Sequence, residues 1–344
     1  MNAIELFAGA GGLALGLEKA GFKHEALIEI DKYAAKTLRE NFDENIVWEN
    51  DITKLKPEEL SINKNIDLIS GGAPCQSFSY AGLRKGIEDA RGTLFYDYAK
   101  FIKYFKPKMF VFENVRGIIN HDNGNTLKTI LNIFSELDYH VDWQLLKAVD
   151  YDVAQKRERI FIIGIRYDIF QKHTDFVFPK PTGNQLVLRD VLKDVPKSEG
   201  AKYPEYKKQV LDLVPPGGYW RDLPDEIAKE YMGKSYYLGG GKTGMARRIS
   251  WDEPSLTLTT SPAQKQTERC HPDETRPFTV REYARIQSFP DEFIFVGSMN
   301  NKYKQIGNAV PVNLAYHVGS SIYNYLKEVD SIDVKRESKE VLGC

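Results

Sequence analysis

Features that mark secreted, membrane or disulfide-stabilised proteins are scarce in this chain. Its 344 residues include three cysteines, an odd and sparse set without a CxxC pair, which excludes a disulfide framework and a cysteine-bound metal. No apolar run is long enough to cross a bilayer, and no basic segment precedes a long apolar stretch near the first residue. We therefore expect a cytoplasmic protein that binds neither a metal nor a membrane.

An excess of charge of one sign is also lacking, since the formal net charge is −1. This balance excludes a protein that is cationic over its whole surface, but nucleic-acid binding needs only a local basic face. Hydrophobic residues make up 42% and charged residues 28%, as in ordinary globular proteins. The length suggests about two domains.

The first half of the chain alternates strand-like and helix-like segments. Helical patterns occupy residues 13–20 and 32–41, and short apolar runs typical of buried strands occupy residues 3–7, 26–30, 66–69, 109–112 and 159–165. This alternation predicts an α/β fold with a mostly parallel, Rossmann-like sheet. After about residue 178 the alternation is lost among prolines and glycines, which predicts a second, smaller and irregular domain. Helices are expected again at 280–288 and 312–327.

A glycine-rich turn, Gly9-Ala10-Gly11-Gly12-Leu13-Ala14, lies between the first predicted strand and helix, and the acidic Glu29 lies near the end of the strand predicted at 26–30, twenty residues after Gly9. In a doubly wound sheet such a turn lets a cofactor approach the backbone, while the acid binds ribose hydroxyls. The pattern does not separate a nicotinamide dinucleotide from another adenosine cofactor, and it also fits a tight turn without a ligand. Asp51 and Ile52, after a third strand candidate, can contact an adenine ring or simply cap a helix.

Cys75 lies in a Gly/Pro-rich turn, residues 71–79, directly after the strand predicted at 66–69. Open α/β sheets bind ligands at the carboxyl ends of their strands, and a thiolate is the strongest nucleophile among the side chains near neutral pH. Cys75 is therefore a candidate nucleophile, although most free cysteines are buried and inert. Its reactivity depends on forming the thiolate.

Glu113-Asn114-Val115 ends the strand predicted at 109–112. Partial burial there would raise the pKa of Glu113 and let it hold a proton near neutral pH, whereas a solvated strand-end glutamate would have no such role. Further along, Arg157 and Arg159 alternate on an extended segment and so face the same side. Together they can clamp a phosphate or a base carbonyl, or they can simply pair with nearby acids.

Two further segments have weaker signals. Gly239-Gly240-Gly241-Lys242-Thr243-Gly244 is no phosphate-binding P-loop, because position 236 is tyrosine and no apolar strand precedes it. Its neighbours Tyr237, Arg247 and Arg248 suit backbone approach to DNA as well as they suit a plain surface loop. The run Gly307-Asn308-Ala309-Val310-Pro311 predicts a turn before the last helix.

In combination and in the same order, these segments resemble the DNA cytosine-5 methyltransferase family, particularly its bacterial modification enzymes. The resemblance covers residues 3 to about 325 and also includes the segments 91–95 and 281–290. It implies S-adenosylmethionine as cofactor, S-adenosylhomocysteine as product, duplex DNA as substrate and these catalytic residues: Cys75, Glu113, Asn114, Arg157 and Arg159. One departure is Ile30, where many members carry an aromatic residue against the adenine.

The family pattern also assigns the binding residues. The cofactor would be bound by Phe7, Ala8, Gly9, Gly11, Gly12, Leu13, Glu29, Ile30, Asp51, Ile52, Pro74, Leu94, Asn308, Ala309 and Val310. DNA would be bound by Gln76, Ser77, Ser79, Arg84, Lys85, Gln155, Lys242, Arg247 and Arg248. The implied domains are a catalytic, cofactor-binding domain at 1–185, a target-recognition domain with its hinge at 186–295, a return segment at 296–328 and a loose polar tail at 329–344.

The implied reaction begins with a cytosine turned out of the duplex into the site. The Cys75 thiolate adds to C6, C5 then takes the methyl group, and an unidentified base removes the C5 proton before the thiolate leaves. Glu113 would bind N3, Asn114 would hold the loop backbone, Arg159 would contact the O2 side, and Arg157 would support Glu113 or a phosphate. Residues 76–92 would close over the site. A monomer acting at the nucleoid, beside a restriction endonuclease, is the expected setting.

Other functions stay open from the sequence alone. The same motifs occur in RNA methyltransferases acting on tRNA, although the long Pro/Gly-rich stretch favours duplex DNA. A DNA-binding scaffold that kept the fold without catalysis is disfavoured by the intact Cys75, Glu113 and Arg159. A nicotinamide-dependent oxidoreductase would explain only Glu29 and the turn at 9–14.

Exchange of residues 186–280 for the corresponding stretch of a relative should change the DNA sequence that is methylated, because this variable stretch carries the predicted base-reading side chains. Bisulfite sequencing of DNA from cells that express each chimera measures the change. Parental enzymes expressed in the same cells are the control. An unchanged target would mean that recognition lies outside residues 186–280.

Overall fold

The computed structural model describes residues 1–74, 93–173 and 176–342. It divides the chain into two compact units. The first contains residues 1–146, 158–180 and 314–344, and the second contains residues 147–157 and 181–313. The return segment predicted to begin at residue 296 thus lies in the second unit as far as Asn313, so this division differs from the predicted one.

The first unit is built on a mostly parallel sheet. Its strands are β1 (Asn2–Leu6), β2 (Lys23–Glu29), β3 (Val47–Glu49), β4 (Leu68–Gly71), β5 (Met109–Val115), β6 (Tyr139–Lys147) and β8 (Glu158–Arg166). Within the described residues these seven strands have the order β3-β2-β1-β4-β5-β8-β6, and β5 pairs with β8 in the antiparallel direction. The pairs β1–β2, β2–β3, β1–β4 and β4–β5 are parallel. The predicted Rossmann-like sheet is confirmed.

Helices of this unit connect and cover the strands. They are α1 (Gly12–Lys19), α2 (Lys32–Asn41), α3 (Leu94–Phe105), α4 (Asn125–Glu136), α5 (Tyr167–Phe170) and most of α11 (Val312–Leu342). In α3 the buried residues Phe95, Tyr98 and Ile102 recur at helical spacing, so one face of the helix packs on the sheet. The rings of Tyr98 and Phe112 meet edge to face at 5.0 Å. Such aromatic pairs add about 1 kcal/mol to the energy of burial.

The order of the strands creates a gap for a ligand. From β1 the chain moves to β2 and β3 on one side, and it later returns to place β4 and β5 on the other side. The carboxyl ends of β1 and β4 are neighbours, since Leu6 pairs with Gly71, and Gly71 pairs in turn with Phe112 of β5. Ligands of doubly wound sheets bind at this switch point. The turn at 9–12 follows the end of β1, and residues 72–74 follow the end of β4. Glu113 lies near the end of β5.

The second unit is irregular. Its strands and helices are short, and the first residues of α11 also belong to it. The elements are β7 (Gln155–Lys156), β9 (Ser255–Leu256), α6 (Leu188–Val191), α7 (Glu205–Asp212), α8 (Asp225–Met232), α9 (Val280–Ile286) and α10 (Met299–Asn308). Strand β7 pairs with β9, so residues 155–156 belong to this unit although they immediately precede β8. A separate apolar core contains Tyr203, Leu211, Trp220, Met232 and Met245. The predicted second domain without strand–helix alternation is confirmed.

The last helix is longer than the sequence suggested. A helix over 312–327 with a loose tail at 329–344 was expected, but α11 continues to Leu342. No glycine or proline interrupts residues 328–342, and Asp330 on this extension binds Lys108 Nζ at 2.8 Å. The expectation of a loose tail was therefore wrong for the described part. Among the described residues, no helix combines the length and apolarity needed to cross a membrane.

Glu5 is a carboxyl group buried inside the sheet, on β1. Its side chain accepts a hydrogen bond of 3.2 Å from the Ser70 hydroxyl and another from the Ala14 backbone N–H, while His24 Nε2 lies 3.8 Å away. Burial raises the pKa of Glu5 from 4.5 to about 8. The fold therefore favours the protonated carboxyl group near neutral pH.

Glu5→Gln should change how stability depends on pH. Folding raises the pKa of Glu5, so the contribution of this group to stability is complete below about pH 4.5 and is lost as the pH rises to about 8. The glutamine variant does not lose this stability. Between pH 4.5 and about pH 8 its free energy of unfolding should therefore rise, relative to that of wild type, by about 1.4 kcal/mol for each pH unit. Chemical unfolding of both proteins at about pH 5 and pH 8.5 measures the difference. The same difference at both pH values would contradict a buried, protonated Glu5.

Candidate active site

The glycine-rich turn joins the end of β1 to α1. Phe7, Gly9 and Gly11 have φ angles of 57°, 56° and 85°, a left-handed backbone that turns the chain sharply. Gly11 N donates a hydrogen bond of 2.9 Å to the Ala8 carbonyl oxygen and closes the turn. A Cβ atom at Gly11 would lie 2.7 Å from the Phe42 ring, so the shape also requires glycine. The backbone here is open to close approach by a ligand.

Glu29 ends β2 beside this turn. Its carboxylate oxygens accept hydrogen bonds of 2.7 Å from Gly9 N and from Asp31 N, and burial raises its pKa. Ile30 follows with 65% of its surface exposed. A fixed acceptor beside an exposed apolar side chain suits a ribose hydroxyl and an adenine ring. These residues thus fit the adenosine part of the expected cofactor.

Asp51 and Ile52 follow β3 at the same edge of the sheet. The Asp51 carboxylate accepts hydrogen bonds from the Thr53 hydroxyl at 2.8 Å and from Thr53 N at 3.0 Å, which lower its pKa. Asp51 is therefore ionised, and it is partly exposed. Ile52 is 5% exposed and packs in the core, so its side chain offers little surface to a ligand.

The segment that leads to the predicted nucleophile is held by β5. Asn114 Nδ2 donates a hydrogen bond of 2.9 Å to the Ala73 carbonyl oxygen, and Asn114 Oδ1 accepts one from Val115 N. Asn114 thus fixes the backbone at Ala73, and its predicted role in holding the rest of the loop stays a prediction. Gly72 has no room for a side chain, since a Cβ atom there would lie 2.7 Å from both Glu113 O and Glu113 Oε2. Pro74 is exposed.

Several predicted residues lie outside the described part of the chain. They belong to the segment 75–92 and are Cys75, Gln76, Ser77, Ser79, Arg84 and Lys85. Leu94, two residues beyond this segment, is partly buried at the start of α3.

Glu113 and Arg159 form an ion pair across neighbouring strands. Arg159 Nε donates to Glu113 Oε1 at 2.7 Å, with 13% and 15% of the two side chains exposed. In the antiparallel register Arg159 lies opposite Val115, so Glu113 is its diagonal neighbour on the same face. Limited exposure strengthens this attraction compared with a pair at the surface. The pair presents a carboxylate and a guanidinium group close to the backbone at Gly72.

Arg157 is enclosed among residues of the second unit. Its side chain is 1% exposed, and its guanidinium group donates to the carbonyl oxygens of Leu258, Gly307 and Asn308 at 3.0–3.3 Å. The strand is interrupted at this residue, since β7 pairs with β9 and β8 with β5. Arg157 and Arg159 therefore do not alternate along one continuous strand, and the predicted phosphate contact of Arg157 was wrong because its side chain is enclosed.

Gln155 is also enclosed, which overturns its predicted contact with DNA. It is 0% exposed; its Nε2 donates to Gln287 Oε1 at 2.8 Å, and its Oε1 accepts from Leu258 N at 3.0 Å. Gln287 is likewise 0% exposed and donates to the Ile306 carbonyl oxygen at 2.7 Å. It lies in the segment 281–290 that contributes to the family resemblance, but it was not named there as a site residue.

Residues 1–324 match the family model described as C-5 cytosine-specific DNA methylase. The chain belongs to this family. It is a DNA cytosine-5 methyltransferase, as the resemblance in its sequence indicated, and the cofactor of this family is S-adenosylmethionine.

Curated relatives of this methylase are bacterial type II methyltransferases. M.Sau96I of Staphylococcus aureus is 60% identical over 329 residues, which cover 95% of this chain and 76% of that protein. M.Eco47II of Escherichia coli is 57% identical over 335 residues, covering 95% and 80%. M.HhaI of Haemophilus parahaemolyticus is 36% identical over 329 residues, covering 93% and 94%.

Solved structures agree with this fold. A DNA modification methyltransferase encoded within an E. coli prophage matches with a TM-score of 0.69 and 26% identity, over 95% of this chain and 99% of that one. A DNMT2 mutant of Spodoptera frugiperda matches with a TM-score of 0.67 over 95% and 99% of the two chains. Its identity of 17% shows a shared fold and no more.

Two arginines of the methylase that were predicted to bind DNA instead form hydrogen bonds with other residues of the second unit. Arg248 is 5% exposed and donates to the carbonyl oxygens of Leu211, Val214, His271 and Pro272, and to the Thr275 hydroxyl group. An irregular backbone leaves many carbonyl groups outside regular ladders, and these need donors when they are buried. The prediction of a DNA contact by Arg248 was therefore wrong.

Arg247 has 12% of its side chain exposed; it donates to the Gly217 carbonyl oxygen at 2.6 Å and pairs with Glu253 at 2.5 Å. Arg247 thus makes its contacts with Gly217 and Glu253 inside the second unit, which contradicts the prediction that it contacts DNA. Lys242 is partly exposed at the glycine-rich loop and donates to the Leu238 carbonyl oxygen. Tyr237, in the same loop, is 77% exposed. Lys242 stays a predicted DNA contact.

Arg248→Met should lower the free energy of unfolding by about 3 kcal/mol, because it leaves buried carbonyl groups without donors. The DNA affinity of the folded protein should stay within about twofold of wild type. Lys242→Met is the matched control, since it should weaken DNA binding and leave stability nearly unchanged. Urea unfolding and DNA titration at fixed salt measure the two effects. Weaker DNA binding by a fully folded Arg248→Met protein would restore the original prediction.

Proposed function

We propose that this methylase transfers a methyl group from S-adenosylmethionine to C5 of a cytosine that is turned out of a specific duplex DNA sequence, with Cys75 as the nucleophile. The observation that carries the proposal is the Glu113–Arg159 ion pair next to Gly72, with Asn114 binding the Ala73 carbonyl oxygen. A carboxyl group, a guanidinium group and the anchored backbone that leads to Cys75 thus converge at neighbouring strand ends.

The cofactor would be held at the switch point of the sheet. The turn at 7–13 would approach it with its backbone, Glu29 would accept hydrogen bonds from its ribose, and Ile30 would pack on its adenine. Asp51, Ile52, Pro74 and Leu94 remain predicted contacts in the first unit. Asn308, Ala309 and Val310 remain predicted contacts in the second unit. When bound, S-adenosylmethionine supplies an electrophilic methyl group and leaves as S-adenosylhomocysteine.

The first step makes a bond between Cys75 Sγ and C6 of the cytosine. The electron pair of the C5–C6 double bond moves toward O2 and N3 and makes C5 nucleophilic. For this step the Glu113 carboxyl group must hold a proton, which it gives to N3 as the charge develops. Arg159 stabilises the carboxylate that remains, and its guanidinium group would contact the O2 side of the cytosine.

The later steps restore the aromatic ring. C5 forms its new bond to the methyl carbon, a base takes the proton from C5, and those electrons re-form the double bond as the Sγ–C6 bond breaks. The thiolate of Cys75 is regenerated, and the proton on N3 returns to Glu113. No oxidant or reductant is required.

The biological setting is inferred from the relatives. Type II methyltransferases are the modification partners of restriction endonucleases, so we infer that this methylase protects bacterial DNA at its recognition sequence. We expect a monomer that works on nucleoid DNA in the cytoplasm. The second unit, with Tyr237 and Lys242 in its glycine-rich loop, would read the target sequence.

A covalent complex with DNA that contains 5-fluorocytosine at the target position tests the mechanism. Fluorine at C5 cannot leave as a proton does, so wild type with S-adenosylmethionine should give an adduct that survives denaturing electrophoresis. Cys75→Ala should give no adduct, and Glu113→Gln should form it at least about a hundredfold more slowly, the usual loss when general acid catalysis is removed. Both variants should still bind the cofactor. An adduct with Cys75→Ala, or a normal rate with Glu113→Gln, would refute the assigned roles.

A further inference from the structure

Two buried glutamines, Gln155 and Gln287, form an amide relay inside the second unit. At one end Leu258 N donates to Gln155 Oε1 at 3.0 Å. In the middle Gln155 Nε2 donates to Gln287 Oε1 at 2.8 Å. At the other end Gln287 Nε2 donates to the carbonyl oxygens of Ile306 at 2.7 Å and Ala309 at 3.3 Å. Both side chains are 0% exposed, so water does not compete for these bonds.

The backbone fixes the direction of the relay. The N–H group of Leu258 can only donate, so Gln155 must turn its oxygen toward it and its NH₂ group toward Gln287. The carbonyl groups of Ile306 and Ala309 can only accept, so Gln287 must present its NH₂ group to them and its oxygen to Gln155. Each position therefore needs a side chain with a donor and an acceptor on one planar group. An ionised glutamate at either position would lack the required donor.

The relay supports the turn at residues 306–310, called here the GNAV turn. The Gln287 carbonyl oxygen also accepts from Val312 N at 3.1 Å, just beyond the turn. Arg157 donates to the carbonyl oxygens of Gly307 and Asn308. A Cβ atom at Gly307 would lie 2.4 Å from Thr259 O, so the backbone is packed tightly there. The side chain of Asn308 nevertheless remains exposed.

A turn that is held so firmly on its inner side and exposes Asn308 is suited to present atoms to a ligand. Positioning of this kind reduces the conformational entropy that binding would otherwise cost. The amide relay contributes to it at a distance, since Gln155 reaches the GNAV turn only through Gln287. The two glutamines should therefore act as one unit.

We propose that Gln155 and Gln287 are positioning residues for S-adenosylmethionine binding, acting by fixing the conformation of the GNAV turn. This inference rests on the proposed function, in which Asn308, Ala309 and Val310 contact the cofactor. Neither glutamine touches substrate or cofactor. Their loss should weaken cofactor binding and leave the chemical step nearly intact once the cofactor is saturating.

The test compares Gln155→Met, Gln287→Met and the double variant with wild type. Methionine keeps the length of the side chain and removes both hydrogen-bonding groups. Each single variant should raise the Kd and KM for S-adenosylmethionine about tenfold, the effect of one lost buried hydrogen bond. The kcat value and the Kd for DNA should stay within about twofold. The double variant should be about as weak as Gln287→Met alone, because the two amides form one relay.

Gln305→Met is the matched control. Gln305 is 6% exposed on α10, and its Nε2 donates to the Val296 carbonyl oxygen at 2.8 Å, outside the GNAV turn. Its replacement should lower the thermal unfolding temperature about as much as the relay variants do, with unchanged cofactor affinity. If Gln287→Met does not fold, Gln155→Met gives the same measurement without a direct contact to the turn.

Calorimetric titration with S-adenosylmethionine separates the possible results. Selective weakening by the relay variants, with non-additive loss in the double variant, supports the proposal. Normal affinity in the relay variants, or an equal loss with Gln305→Met, overturns it while the proposed function stands. If the wild-type protein binds no S-adenosylmethionine, the proposed function is wrong, and the proposed role of the relay is wrong as well.

Discussion

The ion pair between Glu113 and Arg159 depends on the antiparallel pairing of β5 with β8, whereas the pairs that connect β3, β2, β1, β4 and β5 are parallel. In that register Val115 faces Arg159, and Glu113 is the diagonal neighbour, so two long side chains meet at 2.7 Å on one face. A parallel β8 would enter from the other end of the sheet and take Arg159 away from the carboxyl end of β5. The chemistry at this edge thus follows from the direction of one strand.

Around this pair, a glycine leaves room where a side chain would collide, and hydrogen bonds hold the backbone in place. Gly72 allows the segment before Cys75 to approach Glu113, and Asn114 binds Ala73 from the same strand end. On the cofactor side, Glu29 is fixed by two backbone N–H groups instead of side chains. Backbone partners of this kind keep reactive groups in place with little rotational freedom.

The sheet, the glycine-rich turn and the positions of Glu29, Glu113 and Asn114 at strand ends could be predicted from the sequence, because these depend on local patterns. It failed for Gln155, Arg157, Arg247 and Arg248. A sequence shows that such a side chain carries donors, but the oxygen atoms that accept from them belong to segments far along the chain, such as 258, 271, 287 and 307–308. Burial in an irregular unit converts residue types associated with DNA contacts into internal supports.

The pairing of β7 with β9 has a consequence for synthesis. Gln155 lies opposite Ser255, so the partner of β7 is made only after about a hundred more residues have left the ribosome. At typical translation rates of about 5 to 20 residues per second, that delay is roughly 5 to 20 s. During this interval Arg157 lacks the carbonyl oxygens of Leu258, Gly307 and Asn308, and Gln155 lacks both the Leu258 N–H group and the Gln287 side chain. A nascent chain cut before residue 255 cannot complete the second unit.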